Sequence, residues 1–378
     1  MEVERKIRVL QFTIAASMGG RTTYILNQWR HINKDKIHFD FVTFSKTLSC
    51  EAELIQQGCV VHHVVHHPTE DKQRFIKEFE RVLDYGYDVI EIHTSFWEDT
   101  IVEEMAKERG IKKIIIHAHS TGCTKKRASI EVHCKVRERL TDDIATDFWA
   151  CSKEAGEWIF GNGITRTKIK IVPNAIETER FQFQPERRLE LRRKHGLENK
   201  FVVGQVGRLE FVKNHEFTLK VIKELVSFMP NIMLLVLGSG DEQEKIGKMA
   251  QELGLETHIS FLGRRDDVED WMQVMDVFVM PSFSEAFPIA LIEAETAGLK
   301  CICSESITRD AAFTDDVSYL SIEDENLWVE EILKYKNGYE RKNRKKVIEE
   351  AGYDVQATIH LLEKEYMNYK GNSNIEQY

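Results

Sequence analysis

The sequence predicts an α/β protein built from two doubly wound parallel-sheet domains. Its 378 residues are enough for two domains of ordinary size. Short apolar runs alternate with helix-like segments in two successive series, which is typical of βαβ units around a parallel sheet. Pro173-Asn174-Ala175-Ile176 interrupts the first series. We therefore predict a first domain over residues 1–175, a second over 176–350, and a C-terminal helix with a polar tail over 351–378.

The candidate strands are short and apolar, as buried parallel strands are. In the first series they cover residues 6–12, 39–44, 60–64, 87–93, 113–119, 148–152 and 169–172. In the second series they cover 201–207, 232–238, 259–262, 277–281 and 300–303. Helical spacing of apolar residues predicts helices at 22–30, 71–85, 98–109 and 128–140, and near the end at 325–335, 339–351 and 355–369.

One loop of the second domain, between the strands at 277–281 and 300–303, leads into a helix. Pro288 is predicted in the first helical turn, where its missing N–H costs nothing, and Gly298 just beyond the helix end. Free backbone N–H groups at such a helix start attract an anion. Glu285 in the loop and Glu293 in the helix add carboxylates. A nucleotide-sugar suits this combination, because it offers both phosphates and hydroxyls.

A second loop is predicted at the same edge of that sheet. The strand at 201–207 ends in Gly207-Arg208, and Lys213 precedes the next helix. Ligands bind beyond the carboxyl ends of parallel strands, so both cations converge there and would hold a diphosphate. For each cation alone, a surface ion pair is the alternative. Gly238 and Gly240 form another glycine turn at this edge.

The first domain has two features near its own strand ends. Gly19-Gly20 would let a ligand approach the backbone closely, although a plain turn also explains the pair. His117 and His119 end the fifth strand and share one face, because side chains alternate along a strand. A metal site is one interpretation, but no third ligand is near them in the sequence. A buried structural role is the other, and the strand-end position favours a functional role for His119.

Composition excludes several classes of protein. The net charge of −10 comes from residues after 190, and no basic domain of the kind nucleic-acid binders use is present. No run approaches the ~20 apolar residues of a membrane helix, and the N-terminus lacks a signal-peptide pattern. The seven cysteines are scattered without metal spacing, which predicts reduced thiols in the cytoplasm. Cys301 and Cys303 are expected in the core.

The segment from Lys125 to Arg139 is rich in lysine and arginine, with apolar residues between the cations. A basic helix face of this kind binds anionic membrane surfaces. The alternative is an ordinary solvated helix, because charge runs are usually surface.

Taken together, these motifs resemble the retaining glycosyltransferases of family 4, also called group 1, over nearly the whole chain. The resemblance lies in Arg208-x4-Lys213, in Glu285-x7-Glu293 with Pro288 inside it, and in the strand-end histidine. It implies GT-B architecture, with two Rossmann-like domains facing each other across a cleft. The N-terminal domain would bind the acceptor and the C-terminal domain the nucleotide-sugar, and the last helix would pack back on the N-terminal domain.

A narrower resemblance is to the bacterial capsular and exopolysaccharide biosynthesis subgroup. It lies in Gly19-Gly20-Arg21, in the stretch from His31 to Phe41, and in His117-Ala118-His119-Ser120. Ala286 departs from the family pattern, because many members have glycine at that position. The departure bears on how closely this backbone approaches the sugar.

The resemblance also implies roles for residues. The implied catalytic residues are His119, Glu285, Arg208 and Lys213. Arg208 and Lys213 would hold the diphosphate and stabilise the leaving group, Glu285 would face the transferred sugar, and His119 would orient that sugar or stabilise positive charge on it. Glu293 would bind the ribose hydroxyls. The further implied donor-binding residues are Gly19, Gly20, Gly207, Gly238, Gly240, Arg264, Ala286 and Phe287.

The predicted activity is transfer of a hexose or N-acetylhexosamine from a nucleotide-sugar to a lipid-linked saccharide in capsular or exopolysaccharide biosynthesis. A UDP-sugar is expected on the subgroup resemblance alone. No metal or other cofactor is expected, because fixed cations and a helix N-terminus can meet the leaving group's charge. The predicted location is the cytoplasm, peripherally on the inner face of the cell membrane. Two alternatives remain, a nucleotide-sugar epimerase of GT-B architecture and a non-catalytic nucleotide-sugar-binding scaffold.

Overall fold

The chain divides into two compact units. The structure is a computed structural model that describes residues 5–16, 19–122, 127–285 and 287–368. Unit 1 comprises Met1–Ala175 together with Val355–Tyr378, and unit 2 comprises Ile176–Asp354. Unit 2 thus extends to Asp354 rather than to residue 350. Each unit is an all-parallel sheet with helices, so the predicted fold class of two Rossmann-like domains is confirmed.

Seven strands form the sheet of unit 1. They are β1 (Ile7–Phe12), β2 (Ile37–Thr43), β3 (Val61–His63), β4 (Val89–Thr94), β5 (Lys113–Ala118), β6 (Asp147–Ala150) and β7 (Ile169–Ile171). Their order is β3-β2-β1-β4-β5-β6-β7, and every pair is parallel. The order reverses between β1 and β4, and such a topological switch point is where doubly wound sheets bind ligands.

Six helices of unit 1 lie between these strands in the sequence. They are α1 (Gly20–His31), α2 (Glu51–Gln56), α3 (Lys72–Leu83), α4 (Ile101–Glu108), α5 (Arg127–Arg137) and α6 (Lys153–Phe160). The helix α3 shows why its residues are helical. Asp71 caps it by accepting a hydrogen bond from the Arg74 N–H at 3.1 Å, and Phe75 and Phe79 recur at helical spacing and are buried.

Two helices of unit 1, α2 and α6, are not predicted by the sequence patterns. Ser152, which we expected at the end of a strand, is instead the N-cap of α6, and its hydroxyl accepts from the Ala155 N–H at 3.1 Å. That capping signal was present in the sequence. The helix α2 has Cys50 at its N-cap with no side-chain bond and buries Leu54 alone, so it carries little helical pattern.

Unit 2 repeats the plan with six strands. They are β8 (Phe201–Val206), β9 (Ile232–Leu237), β10 (Ile259–Gly263), β11 (Val277–Met280), β12 (Lys300–Ser304) and β13 (Val317–Leu320). The order is β10-β9-β8-β11-β12-β13, again parallel throughout. The switch point therefore lies between β8 and β11, the two strands whose following loops were predicted to bind the diphosphate.

The helices of unit 2 are α7 (Thr178–Phe181), α8 (Pro185–Lys194), α9 (His215–Phe228), α10 (Gln243–Glu252), α11 (Val268–Val274), α12 (Ile289–Thr296), α13 (Glu325–Leu333) and α14 (Lys345–Glu350). Pro288 is the N-cap residue of α12, one position before the predicted first turn. Gly298 follows the helix end with φ +67° as predicted.

The helix predicted over 339–351 is shorter in the structure, because side chains hold its first part as irregular chain. The Tyr339 hydroxyl donates to the Asp276 carbonyl at 2.8 Å. The Arg341 guanidinium donates to the carbonyls of Gln273 at 3.0 Å and Met275 at 3.1 Å. These bonds tie the segment to the approach to β11, and α14 begins only at Lys345.

The last helix, α15 (Val355–Met367), belongs to unit 1. It buries Val355, Ile359, Leu362 and Tyr366 in the core cluster of that unit. The Tyr366 ring packs edge-on against Phe39 of β2 with 5.7 Å between ring centroids. Among the described residues, no helix is both long and apolar enough to span a membrane.

Candidate active site

The loops after β8 and β9 touch each other through their backbones in unit 2. A Cβ added to Gly238 would lie 1.9 Å from the Gly207 carbonyl oxygen, and one added to Gly240 would lie 2.4 Å from the Leu209 oxygen. Gly238 also has φ +142°, in the region that favours glycine. Gly238 and Gly240, two of the glycines predicted for the donor site, are therefore required by the close approach of two loops at the carboxyl edge of the sheet.

Lys213 and Glu285 form an ion pair at the switch point of unit 2. The Lys213 ammonium lies 2.6 and 2.8 Å from the two carboxylate oxygens of Glu285. The backbone supports the pair, because the Phe283 N–H donates to the Val212 carbonyl at 2.9 Å. From the sequence we predicted that Lys213 binds the diphosphate and that Glu285 faces the sugar. Their pairing with each other was not predicted. Their opposite charges, on loops that follow adjacent strands, were the signal.

The other two predicted cations of this site lie on separate loops. Arg208, about half exposed, pairs with the carboxylate of Glu210 within its own loop. Arg264 follows β10 and lies 3.7 Å from the Asp266 carboxylate. Both arginines remain exposed to solvent in these ion pairs. An anion that binds either arginine would therefore replace one solvent-exposed ionic contact with another.

Glu293 lies in the second turn of α12 and is partly buried. Burial raises its pKa to about 8, with Arg180 opposing the shift and Glu269 adding to it. The Arg180 guanidinium is itself held by Glu269 at 2.8 Å and by Glu177 at 2.9 Å. At neutral pH, Glu293 therefore carries a proton in the free protein. The sequence patterns do not predict Arg180 at this site, because α7 has only four residues and little pattern, and Glu269 comes from a different helix, α11.

The ring of Phe287 packs within unit 2. The ring is buried and stacks on Tyr353 with 5.3 Å between centroids, and Tyr353 in turn packs on Phe313 at 4.5 Å. Ala286, the residue that departs from the family pattern, lies outside the described residues.

In unit 1, Gly19 and Gly20 begin the helix that follows β1. Gly19 is the N-cap of α1, Gly20 is its first residue, and a Cβ at Gly19 would meet no atom within 4 Å. Arg21 points back to the sheet, where its guanidinium donates to the His93 carbonyl at 3.3 Å. The glycine pair therefore lies at the carboxyl edge of β1, where a loop and a helix N-terminus meet.

Three histidines cluster at the ends of β4 and β5. His93 lies opposite His117 in the β4–β5 register, and its Nδ1 is 2.9 Å from Nε2 of His119. Candidate ligand atoms of the three rings lie within 4.8 Å of one another, and all three side chains are buried. No third ligand lies near His117 and His119 in the sequence, but the pairing of β4 with β5 brings His93 beside them.

Burial makes His93 and His119 poor bases. It lowers the pKa of His93 to about 3 and that of His119 well below its usual value. The neighbouring histidines and Arg21 shift the pKa of His119 further in the same direction. Both rings are therefore neutral at physiological pH.

The basic segment is only partly free to face a surface. Lys125 and Lys126 lie outside the described residues. The Arg137 guanidinium donates to the Trp158 carbonyl at 3.1 Å, while Lys135 and Arg139 are exposed. Cys301 and Cys303 are free thiols and are buried, as predicted.

Two Rossmann-like units with these loops have the fold of GT-B glycosyltransferases, and solved structures share that fold. HepE of Anabaena, in complex with UDP and glucose, aligns over 96% of this chain and 100% of its own with a TM-score of 0.78 and 16% identity. Sucrose-phosphate synthase from Thermosynechococcus elongatus aligns over 98% of this chain and 100% of its own, with a TM-score of 0.77 and 18% identity.

Two family models place the chain more narrowly. The model "Glycosyltransferase Family 4" matches residues 18–180, and "Glycosyl transferases group 1" matches residues 187–353. The chain belongs to the group 1 glycosyltransferases of family 4.

Curated relatives agree with this family. EpsF of Bacillus subtilis (strain 168), named as a glycosyltransferase, is 28% identical over 365 residues, which is 94% of this chain and 95% of EpsF. The UDP-Gal:alpha-D-GlcNAc-diphosphoundecaprenol alpha-1,3-galactosyltransferase of Escherichia coli is 26% identical over 248 residues, which is 62% of each chain.

Proposed function

We propose that this protein transfers a hexose or N-acetylhexosamine from a UDP-sugar to a lipid-linked saccharide in capsular or exopolysaccharide biosynthesis, with retention at the anomeric carbon. The observation that carries the proposal is the Lys213–Glu285 pair at the switch point of unit 2. In this proposal Lys213 is the cation for a diphosphate, and the adjacent Glu285 is the carboxylate for a sugar. The UDP of the HepE structure and the lipid-diphosphate acceptor in the E. coli relative's name support these substrate classes.

In this proposal the leaving group draws on cations that are already in place. The diphosphate displaces Glu285 from Lys213 and Glu210 from Arg208, so the charge that develops on the leaving oxygen meets two fixed cations. Glu285, once released, faces the sugar hydroxyls. The backbone N–H at Phe287, near the start of α12, adds a dipole of the same sign.

Glu293 binds the ribose hydroxyls, and His119 lies beside the transferred sugar. The neutral imidazole of His119 orients the sugar and stabilises positive charge on it through the ring's lone pair. Gly19 and Gly20 approach the phosphate from their loop, and Arg264 lies near the base. We propose that transfer needs no divalent cation at the diphosphate, because Arg208 and Lys213 supply that charge.

The test is a transfer assay with UDP-sugars and a polyprenyl-diphosphate-linked saccharide, in which NMR of the product reports the anomeric configuration. We expect a retained configuration and undiminished rates in EDTA. Lys213→Ala should abolish most transfer. Lys220→Ala is the matched control, because Lys220 also pairs with a glutamate, Glu325, but on the exposed face of α9. Equal rates in the two variants would contradict the site assignment.

The same assay decides between the proposal and its alternatives. An epimer formed from the UDP-sugar alone would identify a nucleotide-sugar epimerase. Tight UDP-sugar binding without any acceptor-dependent release of UDP would identify a scaffold. We favour transfer over both, because the Lys213–Glu285 pair would offer a cation to a departing diphosphate and a carboxylate to the sugar.

We further propose that the protein works in the cytoplasm, with α5 on the anionic inner face of the cell membrane. The exposed cations Lys135 and Arg139 support this proposal. Flotation should recover the protein with anionic liposomes at low salt and lose it at high salt. The double variant Lys135→Glu, Arg139→Glu should stay unbound. Equal recovery with neutral liposomes would contradict an electrostatic contact.

A further inference from the structure

A continuous chain of hydrogen bonds in unit 1 runs from Glu91 through Gln11 and His93 to His119. We propose that this chain fixes His119 as one neutral tautomer, with a proton on Nε2 and a bare Nδ1, and that Gln11 and His93 are positioning residues for transfer. All four side chains are at least nine-tenths buried, so water does not compete for these bonds. The effect on transfer rests on the proposed function, whereas the tautomer exists in the free protein.

The chain starts at a carboxylate that stays ionised. Burial alone would raise the pKa of Glu91, but the hydrogen bonds that it accepts from His117 and Tyr366 lower that pKa below its ordinary value. The His117 Nδ1–H donates to one Glu91 oxygen at 2.8 Å, and the Tyr366 hydroxyl donates to the other. Glu91 is thus a buried acceptor without a proton.

This acceptor determines which way the Gln11 amide faces. The Gln11 nitrogen lies 3.2 Å from the second Glu91 oxygen, and an amide oxygen there would face a carboxylate with no proton between them. The Gln11 oxygen therefore points to His93, whose Nε2 lies 2.5 Å away. That contact requires a proton on Nε2 of His93, because the amide oxygen only accepts.

The hydrogen bond between His93 and His119 fixes the position of the proton on His119. His93 is neutral, so with Nε2 protonated its Nδ1 is a bare acceptor. Nε2 of His119 lies 2.9 Å from that Nδ1 and therefore donates to it. Nδ1 of His119 is left as a lone pair, is buried, and has no hydrogen-bond partner in the described part of the protein. Charged or titratable neighbours of the ring are Arg21, His117 and Tyr24.

A metal ion held by the three histidines is the rival explanation of the cluster. Two nitrogens bound to one tetrahedral zinc at ordinary bond lengths are about 3.3 Å apart. The 2.9 Å between His93 and His119 is instead an ordinary hydrogen-bond length. We therefore favour the hydrogen-bonded chain and make metal content an outcome of the test.

The tautomer can be measured by long-range nitrogen–proton NMR on the full-length protein labelled with ¹⁵N-histidine, with His119→Ala to assign the signal. We expect His119 protonated at Nε2 alone. Gln11→Met removes the amide and should give mixed His119 tautomers, with kcat falling about 10- to 100-fold and the KM for the sugar donor nearly unchanged. Gln11→Glu should keep the single His119 tautomer and a kcat close to that of the wild type. A carboxyl group that shares a proton with Glu91 can accept a hydrogen bond from His93, as the amide does.

His93→Phe tests the next link should Gln11→Met fold poorly, and thermal melting monitors both variants. Three results would overturn the proposal. These are a proton on Nδ1 of wild-type His119, an unchanged tautomer and kcat in both Gln11→Met and His93→Phe, or one equivalent of protein-bound metal that is lost in His93→Phe. An inactive wild type would refute the proposed function, while the NMR result would still decide the tautomer.

Discussion

Lys213 and Glu285 hold opposite charges where little water reaches them, with 20% and 10% of their side chains exposed. Each therefore depends on the other, since removing one partner of a poorly hydrated pair leaves an uncompensated charge. A bound diphosphate would take over the role of Glu285 toward Lys213. Under the proposed function, the pair keeps the ammonium in position before the substrate arrives, which would lower the reorganisation that catalysis requires.

A double-mutant cycle separates the stability of this pair from its function. Lys213→Ala should lower the free energy of unfolding of unit 2 by about 1 to 3 kcal/mol, because Glu285 loses its partner. Adding Glu285→Gln should restore much of that stability but none of the transfer rate. Denaturant unfolding and the transfer assay measure the two effects. Recovery of the rate in the double variant would show that Lys213 acts only through folding.

Glu293 gives a second prediction at the residue scale. Its pKa of about 8 means that it is mostly protonated at pH 7, and ribose hydroxyls donate best to the carboxylate form. UDP-sugar affinity should therefore rise between pH 6.5 and 8.5 and level off above the pKa. Titration calorimetry at several pH values measures this dependence. Glu293→Gln should bind more weakly with a flat profile, and a rising profile in that variant would assign the dependence to another group.

At the scale of elements, the site exists because two loops follow the strands on either side of a switch point. The loop after β8 carries Lys213, the loop after β11 carries Glu285, and the glycine turn after β9 packs against the first of them. The close approach leaves no room for a side chain between the glycine backbones. The position of the cations is therefore set by backbone packing as much as by their own contacts.

Gly238→Ala should displace the loop after β8, because its Cβ would overlap the Gly207 carbonyl oxygen. We expect a loss of about 2 kcal/mol or more in stability and weaker UDP-sugar binding. Gly247→Ala is the matched control, because Gly247 lies within α10 and a Cβ there meets nothing within 4 Å. That variant should gain up to about 1 kcal/mol. Similar losses in both would show that the contact does not decide the effect.

Element-scale patterns in the sequence predicted every strand except β13, but not the cross-strand contacts. Apolar runs and strand ends are local features, so they were enough to place Arg208, Lys213 and His119 beyond the ends of strands. The contacts of Gln11 and His93 depend on β4 lying between β1 and β5, an order that no local pattern encodes. The prediction of a helix over 339–351 was too long for the same reason, because Tyr339 and Arg341 form hydrogen bonds to residues that are distant in the sequence.

At the scale of the whole molecule, the chain forms two units but crosses between them twice. The helix α15 completes unit 1, where the Tyr366 hydroxyl donates to Glu91 and the ring fills the core beside Phe39 and Trp149. A helix distant in sequence thus supports the carboxylate at which the His119 hydrogen-bond chain begins.

Deleting the chain from Val355 onward should destabilise unit 1 and leave unit 2 folded. The deletion removes four buried apolar side chains, each of which contributes on the order of 1 to 3 kcal/mol to folding. Hydrogen exchange should show rapid exchange in β1, β2 and β4 with protection retained in β8 and β11. Tyr366→Phe is the milder control, since it keeps the ring and loses one hydrogen bond. Equal protection of both units in the deletion would contradict a structural role for α15.

Because the chain returns to unit 1 at Val355, the last helix of unit 1 is synthesised after the whole of unit 2. All of unit 2 emerges before the helix that closes unit 1, so the second unit in sequence has its full complement of residues first. N-terminal domains generally fold first during synthesis, and here we expect unit 2 to complete its fold before unit 1. A chain arrested before residue 355 would present the apolar surface that α15 covers, and chaperones that bind nascent chains would find it on unit 1.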